Sequence, residues 1–513
     1  MDYAALNLKT ETLPGTAPVR RAVVTPDQLV TTCRTVREAG GLLLSLWTAD
    51  ERDRAGGFRL SVALQDDAGL LILELPLPEA APCFPNLSEI FPAANRLQRA
   101  AYDMLGTRAE GGDTRPWLRH AAWPATYFPL RRDADAPPHP PQPERYAFVT
   151  VEGEGVHEIP VGPVHAGIIE PGHFRFSVVG EKVLRLEERL GFVHKGIEKR
   201  FESLAPAEGH VLAARVSGDS AVAFSWAYCM ALESICGAAV PPRALRLRAL
   251  HLERERIANH LGDLGALGND AGFAFGLMQF SRLKEDLLRT NALVFGQRYL
   301  FDAIVPGGVA RDLDEDHRHT LLTQTAVLEE EVRKLRDIYD NHAGLQDRFI
   351  GCGRVAPDLA ARLGLIGLAG RASSQAWDLR CDHPYEPYDE LSVVMVTHRN
   401  GDVAARVTVR FEEIFESLRL CRAIIETLEP GAIRTPLPPP QAERLGIGWV
   451  EGWRGPVLVA LETADGGRIR RCHPHDPSWQ NWPALEHAVI GNIVPDFPLI
   501  NKSFNLSYSG QDL

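Results

Sequence analysis

Short apolar runs separated by turn residues characterise the first quarter of the chain. Gly41–Trp47, Phe58–Leu64 and Gly69–Leu75 have the length and alternation of β-strands, and they follow a helical pattern at Thr25–Ala39. A few short strands with a helix packed on them form the α+β architecture of a small domain. The pattern therefore predicts an α+β domain over residues 20–132.

A proline-rich stretch follows this region. Residues 133–143 include five prolines, too many for a helix or a central strand, because proline lacks a backbone N–H and has a fixed φ. We therefore predict an extended linker over residues 133–145. Two further strand-like runs, Phe148–Val151 and Phe174–Val179, come after it.

Helical spacing dominates the rest of the chain. In Arg243–Leu264, leucine and isoleucine recur at helical spacing behind Pro241 and Pro242, a favourable helix start. Gly446–Thr463 alternates like strands, whereas Ile490–Leu513 is polar and irregular. The predicted fold class is α+β, with a mainly helical domain over residues 146–513 fused to the small first domain. Further helical patterns lie at Leu277–Asp302, Glu315–Asn341, Pro357–Leu365 and Val403–Leu428.

Charge and hydropathy narrow the functional classes. The net charge is −12 and basic residues alternate with acidic ones, which argues against nucleic-acid binding because phosphate neutralisation needs clustered Lys and Arg. The first residues lack the pattern of an export signal, so we expect a cytoplasmic protein. The most apolar run, Ala221–Leu232, would span about 18 Å as a helix, against roughly 30 Å for a bilayer core. It predicts a buried core helix.

The eight cysteines form no Cys-x-x-Cys pair. Their spacing supports neither a disulfide framework nor a zinc or iron–sulfur site, and we expect buried free thiols. One denser cluster, Cys472, His473, His475 and Asp476, lies in a proline-bounded segment that we predict to be a loop. Its tight, irregular spacing is unusual for a metal site, so its role stays open.

Two motifs resemble the opening of membrane-associated group 4 NiFe hydrogenase large subunits: Gly162–Arg175, with its Glu-Pro-Gly-His-Phe-Arg run, and Gly191–Lys199. The resemblance continues through motifs such as Asp378–Tyr385 to residue 513. The same region is similar to the 49 kDa subunit of complex I. The first domain resembles the 30 kDa subunit through motifs such as Phe91–Asn95. A fusion of both modules in one chain resembles the formate hydrogenlyase large subunit.

The resemblance implies a NiFe centre held by four cysteine thiolates, in two Cys-x-x-Cys pairs. The first pair aligns with Ser217 and Ser220, and the second with Ser507 and Gly510. A serine hydroxyl stays neutral and is a hard ligand, unlike the thiolates that nickel and iron bind strongly. These four positions are therefore vestigial, and we expect no metal or other cofactor in this chain.

Other positions around the expected centre have also changed. A family histidine becomes Phe224 and a family proline becomes Trp453, and we hypothesise that the two rings fill the volume left by the metals. Glu170 matches the proton-relaying glutamate of the hydrogenases, and Arg454 matches the arginine over the metal. We predict these two as candidate catalytic residues that form a buried ion pair. The pair would serve either a residual proton path or structure alone.

The quinone site of complex I is represented only in part. The resemblance implies a loop with two histidines and a tyrosine near the first ligand pair. Here His165 is kept, but Ile169 takes the second histidine position and Gly218 the tyrosine position. These substitutions argue against a quinone site of the familiar kind.

The resemblance implies a peripheral-arm subunit of a membrane-bound, ion-translocating oxidoreductase complex. Expected partners are an iron–sulfur small subunit like the 20 kDa subunit of complex I, which would carry the clusters, and antiporter-like membrane subunits. These would attach the chain to the inner face of the membrane. Quinone or another small acceptor would occupy the vacated metal cavity. The alternatives are a non-catalytic structural or coupling subunit and an active NiFe hydrogenase, which the lost ligands oppose.

Overall fold

The computed structural model describes residues 3, 6–16, 18–120, 123–134, 145–165 and 169–513. The predicted linker at 133–145 therefore lies mostly outside the described residues.

The first part of the chain forms one five-stranded sheet covered by two helices. Strands β2 and β5 pair in parallel and the other neighbours are antiparallel, in the order β1-β2-β5-β4-β3. A side-chain capping box between Thr25 and Gln28 begins the first helix. The elements are β1 (Glu11–Thr12), β2 (Val19–Val23), α1 (Pro26–Glu38), β3 (Leu42–Asp50), β4 (Gly57–Asp66), β5 (Gly69–Pro78), β6 (Cys83–Phe84), α2 (Ala94–Leu105) and β7 (Arg108–Ala109).

This sheet is buried on both faces, as the alternation of its side chains shows. On β5, Leu71 and Leu73 belong to the hydrophobic core shared with α1 and α2, whereas Leu70 and Ile72 belong to the core shared with the helical part of the chain. Successive strand residues point to opposite faces. The sheet therefore packs between its own helices and the second half of the molecule.

The second part contains two more three-stranded antiparallel sheets and most of the helices. Its first elements are β8 (Val156–Val161), β9 (His173–Val179), β10 (Lys182–Arg189), α3 (Ile197–Phe201), α4 (Gly209–Ala213), α5 (Ala221–Cys236), α6 (Pro242–Asp270), α7 (Ala274–Phe295), β11 (Ile304–Val305), β12 (Gly308–Val309), α8 (Glu315–Asn341) and α9 (Ala343–Phe349). The remaining ones are α10 (Pro357–Leu363), α11 (Gly367–Arg371), α12 (Leu379–Asp382), α13 (Tyr388–Leu391), α14 (Val403–Glu426), β13 (Leu445–Glu451), β14 (Pro456–Thr463), β15 (Ile469–His475), α15 (Ser478–Ala488), α16 (Phe497–Phe504) and α17 (Tyr508–Asp512).

The structure confirms the predicted α+β fold class, with a small first domain and a mainly helical second one. Helix α5 is the predicted core helix: of its residues only Ser234 is not buried, because α6, β13 and β14 surround it. Within the described ranges, no helix combines the length and apolar character needed to cross a bilayer.

Three local predictions were wrong. The run Phe148–Val151 forms no strand; the strand before β9 is β8, whose residues are too polar and exposed to give an apolar run. The end of the chain is not irregular but forms α16 and α17, which are buried. Residues 472–475 lie on strand β15 instead of in a loop, because they pair with β14 between two buried layers.

Candidate functional site

The vestigial ligand positions converge at one point in the fold. Ser217 precedes a short 3₁₀ turn that leads into α5, and Ser507 caps the N-terminus of α17 by accepting a 2.8 Å hydrogen bond from the Gly510 N–H. The Ser217 and Ser507 hydroxyl oxygens lie 2.8 Å apart. Ser220 lies within 3.4 Å of the Arg454 guanidinium. Two segments far apart in the sequence thus meet around a common centre.

The carboxyl group of Asp476 occupies the space beside Gly510, the fourth predicted ligand position. A Cβ atom on Gly510 would lie 2.5 Å from Oδ2 of Asp476 and 2.9 Å from the Ser507 hydroxyl oxygen. Asp476 is fully buried; its Oδ1 accepts a hydrogen bond from the Ser478 N–H, and its Oδ2 has no partner in the described part of the chain. Burial raises the pKa of this carboxyl above its ordinary value. A cysteine side chain at position 510 would collide with it.

An ion pair lies across the centre. The Arg454 guanidinium donates to both carboxylate oxygens of Asp219, at 2.8 Å for one of them, and to the Asn505 carbonyl oxygen. Burial alone would raise the pKa of Asp219, but the charge and hydrogen bonds of Arg454 hold it below its ordinary value. The guanidinium also lies 3.9 Å from the centroid of the Trp453 ring, a cation–π distance.

Trp453 belongs to the same polar network. Its indole N–H donates to the Asp219 carbonyl oxygen at 2.8 Å, and its ring meets the edge of His260 at a centroid distance of 6.0 Å. Phe224 lies in the hydrophobic core of α5. Both rings are buried, so the volume-filling hypothesis is compatible with their positions and stays a hypothesis.

The expected pair between Glu170 and Arg454 does not form. Glu170 is exposed and accepts a hydrogen bond from the Ser509 N–H at 3.0 Å, while Arg454 binds Asp219. The prediction of a buried pair was wrong because Asp219, within the first ligand segment, already neutralises the guanidinium. Glu170 still contacts the segment of the second ligand pair, and the catalytic role of both residues stays a prediction.

A cavity of about 290 Å³ opens beside the first ligand segment. Gly218 and Asp219 form one wall, and helices α6 and α7 and the segment 298–301 after α7 form the others. Gly218, the predicted counterpart of a complex I tyrosine, carries no side chain on this wall. The remaining lining side chains include Asn259, Lys284, Leu288, Leu300 and Phe301. Burial lowers the pKa of Lys284 below its ordinary value.

The cluster around residue 473 does not form a metal site. No group of three or more His, Cys, Asp or Glu side chains within the described ranges could hold a metal ion. His473 lies between the Ser45 hydroxyl, at 2.9 Å, and the Glu198 carboxylate, at 2.7 Å. His475 binds Gln480 instead. Alternation along β15 sends Cys472 to the opposite face of the strand, where burial raises the pKa of its thiol.

Two family models match the chain. Residues 22–140 match the 30 Kd subunit of respiratory-chain NADH dehydrogenase, and residues 270–445 match its 49 Kd subunit. Formate hydrogenlyase subunit 5 of Escherichia coli (strain K12) is 31% identical over 99% of this chain and 92% of its own length. The chain belongs to the group 4 hydrogenase large-subunit family.

Another relative and one solved structure are also similar to this chain. The carbon monoxide-induced hydrogenase of Rhodospirillum rubrum is 34% identical over 68% of this chain and 97% of its own length. A chain of the membrane-bound sulfane sulfur reductase, an archaeal respiratory membrane complex, superposes with a TM-score of 0.66 over 70% of this chain and 99% of that chain, at 24% identity. This last similarity shows the fold alone.

The residues of this group 4 homologue do not fit a NiFe centre. The four positions predicted to match the family's thiolate ligands carry three hydroxyls and a glycine, and soft metals need soft ligands. The Asp476 carboxyl also closes the space that a side chain at position 510 requires. Asp219 and Asp476 were missed as site residues: Asp219 stands between the two serines in the aligned motif, but no sequence pattern connects Asp476 with Gly510.

Proposed function

We propose that this chain is a peripheral-arm subunit of a membrane-bound, ion-translocating respiratory oxidoreductase complex and that it does not evolve hydrogen. The contact between Asp476 and the Gly510 position carries this proposal, because a buried carboxyl takes up the space that a metal-binding side chain at position 510 would need. In this proposal the chain lies against an iron–sulfur small subunit and is attached to the inner face of the membrane through antiporter-like subunits.

We place the small acceptor, quinone or another, in the cavity beside Gly218 instead of at the filled centre. The cavity adjoins the ion pair between Asp219 and Arg454 and combines apolar walls with polar groups, the usual composition of a ligand pocket. Lys284 supplies a cationic donor to an acceptor that gains negative charge on reduction.

Two measurements on the purified complex test the proposal. The first is nickel content together with hydrogen evolution from a reduced dye; we expect neither, and stoichiometric nickel would overturn the proposal. The second is electron transfer to a soluble quinone, compared between Lys284→Met and Lys334→Met. Lys334 is exposed on α8, outside the cavity, and serves as the control. We expect the apparent affinity for quinone to fall only in Lys284→Met.

The alternative function is a structural or coupling subunit without an acceptor site. The ion pair and the buried Asp476 favour it, because they occupy the former centre without needing a substrate. Glu170→Gln and Arg454→Ala distinguish the two functions in the assembled complex. Reduced turnover in either variant supports a redox role for the site, whereas unchanged turnover in both supports the structural role.

A further inference from the structure

A cluster of eight buried ionisable side chains lies behind the vacated centre, and we call it the core ion cluster. None of its members is more than 3% exposed. It is built from α6, α11, α12, α14 and β13, so it joins elements from distant parts of the sequence. Its members are Glu253, Arg256, His260, Arg371, Asp378, Arg380, Glu413 and Glu451.

Direct contacts make the cluster continuous. Arg371 bridges Glu413 at 2.8 Å and Glu451 at 2.9 Å. The His260 Nε2 lies 2.8 Å from Glu413. On the other side, Arg380 bridges two further carboxylates, Asp378 at 2.7 Å and Glu253 at 3.0 Å, and Arg371 reaches Asp378 at 3.5 Å. Arg256 lies between Glu253 and Glu413.

The charges of this cluster do not balance when His260 is neutral. Four carboxylates, of Glu253, Asp378, Glu413 and Glu451, face three guanidiniums, of Arg256, Arg371 and Arg380. One negative charge is left over in a dry interior, where an uncompensated ion is strongly disfavoured.

The surrounding groups do not remove this excess. Arg410, next to His260, is engaged by Asp263 at 3.0 Å. Lys502 also binds Asp263, at 3.3 Å, but its side chain is 26% exposed and therefore hydrated. The Tyr385 hydroxyl accepts the Glu451 backbone N–H and is neutral. A bound proton is the simplest compensation.

We propose that the core ion cluster is a proton-binding site that holds one proton on the Glu451 carboxyl, with the His260 imidazole as a second position for it. Glu451 is the least compensated carboxylate: it accepts one hydrogen bond from Arg371 and a long one, 3.3 Å, from the Leu379 N–H. Glu253, in contrast, accepts the Tyr388 and Ser417 hydroxyls in addition to Arg380.

The electrostatics of the individual groups support this assignment. Burial, reinforced by the charge of Asp378, raises the pKa of Glu451 to about 7. Burial alone would raise the pKa values of Glu253, Asp378 and Glu413 too, but their cationic neighbours hold them below the ordinary range. Burial lowers the pKa of His260, so the imidazole is neutral while Glu451 holds the proton.

His260, the second position for the proton, faces the predicted metal centre. The His260 Nδ1 is buried and has no hydrogen-bond partner among the described residues, and its ring meets Trp453, the neighbour of Arg454. A proton on His260 neutralises the cluster as well as one on Glu451, and the link through Glu413 and Arg371 couples the two positions. This inference needs no metal and does not rest on the proposed function.

Infrared spectroscopy of the full chain in D₂O tests the proposal. We expect the carbonyl band of protonated buried carboxylic acids at pH 6 to include a contribution from Glu451, which is lost as the pH rises through about 7 and is missing in Glu451→Gln. Burial also raises the pKa values of Glu188, Glu255, Asp476 and Asp512, so the Glu451 contribution is taken from the difference between the wild-type and Glu451→Gln spectra. Glu462→Gln is the matched control, since Glu462 is buried on the adjacent strand β14 and its pKa is held low mainly by Arg59. A wild-type band that does not differ from that of Glu451→Gln over this pH range would overturn the proposal.

The second position has its own test. In His260→Gln the proton can reside only on Glu451, so we expect a stronger Glu451 band at pH 6 and, because one of the two proton positions is gone, a midpoint at lower pH than in the wild type. An unchanged midpoint would overturn the role of His260. The His260 variant and the wild-type titration also keep the proposal testable if Glu451→Gln does not fold.

Discussion

Oδ2 of Asp476 lies 2.5 Å from the position that a Cβ atom on Gly510 would occupy. The backbone at Gly510 is helical, so conformation does not require a glycine there. The requirement is one of space, since the buried carboxyl is anchored by the Ser478 N–H. The Asp476 carboxyl therefore occupies space that a side chain at position 510 would need.

Gly510→Ala is expected to destabilise the protein by about 1–3 kcal/mol, the usual range for overpacking a buried site. Denaturant unfolding of the full chain measures this loss. Gly431→Ala is the control, because a Cβ there would meet its nearest neighbour, the Arg243 side chain, at an ordinary 3.5 Å. Equal unfolding free energies for the wild type and Gly510→Ala would contradict the steric explanation.

A double variant, Gly510→Ala with Asp476→Ala, distinguishes a steric clash from a disruption of helix α17. In Asp476→Ala the obstructing carboxyl is gone, so the added methyl group of Gly510→Ala should be tolerated. We expect a coupling free energy between the two substitutions of roughly 0.5–3 kcal/mol, favouring the double variant over the sum of the single ones. Additive effects would indicate that the two positions do not compete for space.

Arg454→Met should lower the unfolding free energy by about 1–3 kcal/mol at neutral pH, because it leaves a carboxylate without its partner. The lower half of this range is expected, since the Asp219 side chain is 38% exposed and water can solvate it. Asp219 has a pKa held below its ordinary value of 3.8, so its contribution is present above about pH 4 and is lost as the pH falls through the lowered pKa.

The measurement is thermal or denaturant unfolding of the wild type and Arg454→Met at pH 7 and at about pH 3. The difference between the two proteins should be largest at pH 7 and should shrink at the acidic value. Asp219→Asn serves as the reciprocal control, and should show the same direction of pH dependence. A difference that grows on acidification would rule out the ion pair as its cause.

Helices with regular apolar periodicity were predictable from the sequence, because the signals that define them lie close together in the chain. Helices α1, α8 and α14 begin at Pro26, Glu315 and Val403, within a residue of the predicted starts. Helix caps and the 3.6-residue spacing of apolar side chains depend only on neighbouring residues. The buried tail was not predictable, because α16 and α17 are held by contacts with distant segments. Asn505, for instance, binds Asp263 across the centre.

The same difference between local sequence signals and contacts of distant segments applies to the candidate site. The four vestigial positions were predicted from contiguous motifs and stay a prediction, while the structure brings Ser217, Ser507 and Gly510 together. The partner of Arg454 did not, because several acidic residues compete for one guanidinium and only the three-dimensional arrangement selects Asp219 over Glu170. Likewise, the alternation of β15 separates Cys472 from His473, although the two are adjacent in the sequence.

The free cysteines should differ in reactivity according to burial. Five cysteines, Cys33, Cys229, Cys236, Cys421 and Cys472, are buried, and burial raises the pKa of each of these thiols above its ordinary value. Cys83 is only half-buried. With iodoacetamide and mass spectrometry of the native chain, we expect Cys83 to be modified well before the five buried cysteines. Rapid labelling of Cys472 would contradict the packing of β15.

One of the contacts between the first domain and the rest of the molecule involves a histidine that Glu198 holds. Its carboxylate pairs with Arg471 at 2.7 Å and with His473, and His473 in turn binds Ser45 on the first sheet. Burial alone would raise the pKa of Glu198, but Arg471 and His473 lower it to about 2. The stabilisation is therefore present above the ordinary glutamate value of 4.5 and is lost as the pH falls toward 2.

Glu198→Gln is expected to destabilise the full chain by about 3–5 kcal/mol at pH 7, because it leaves the buried Arg471 without a counter-charge. Glu202→Gln, one turn further along, removes pairs with the half-exposed Lys199 and, at 3.9 Å, with the partly exposed Arg132, and should change stability by about 0–1 kcal/mol. Thermal unfolding at pH 7 compares the two variants. Equal losses in both would contradict a stabilising role for the buried pair between Glu198 and Arg471.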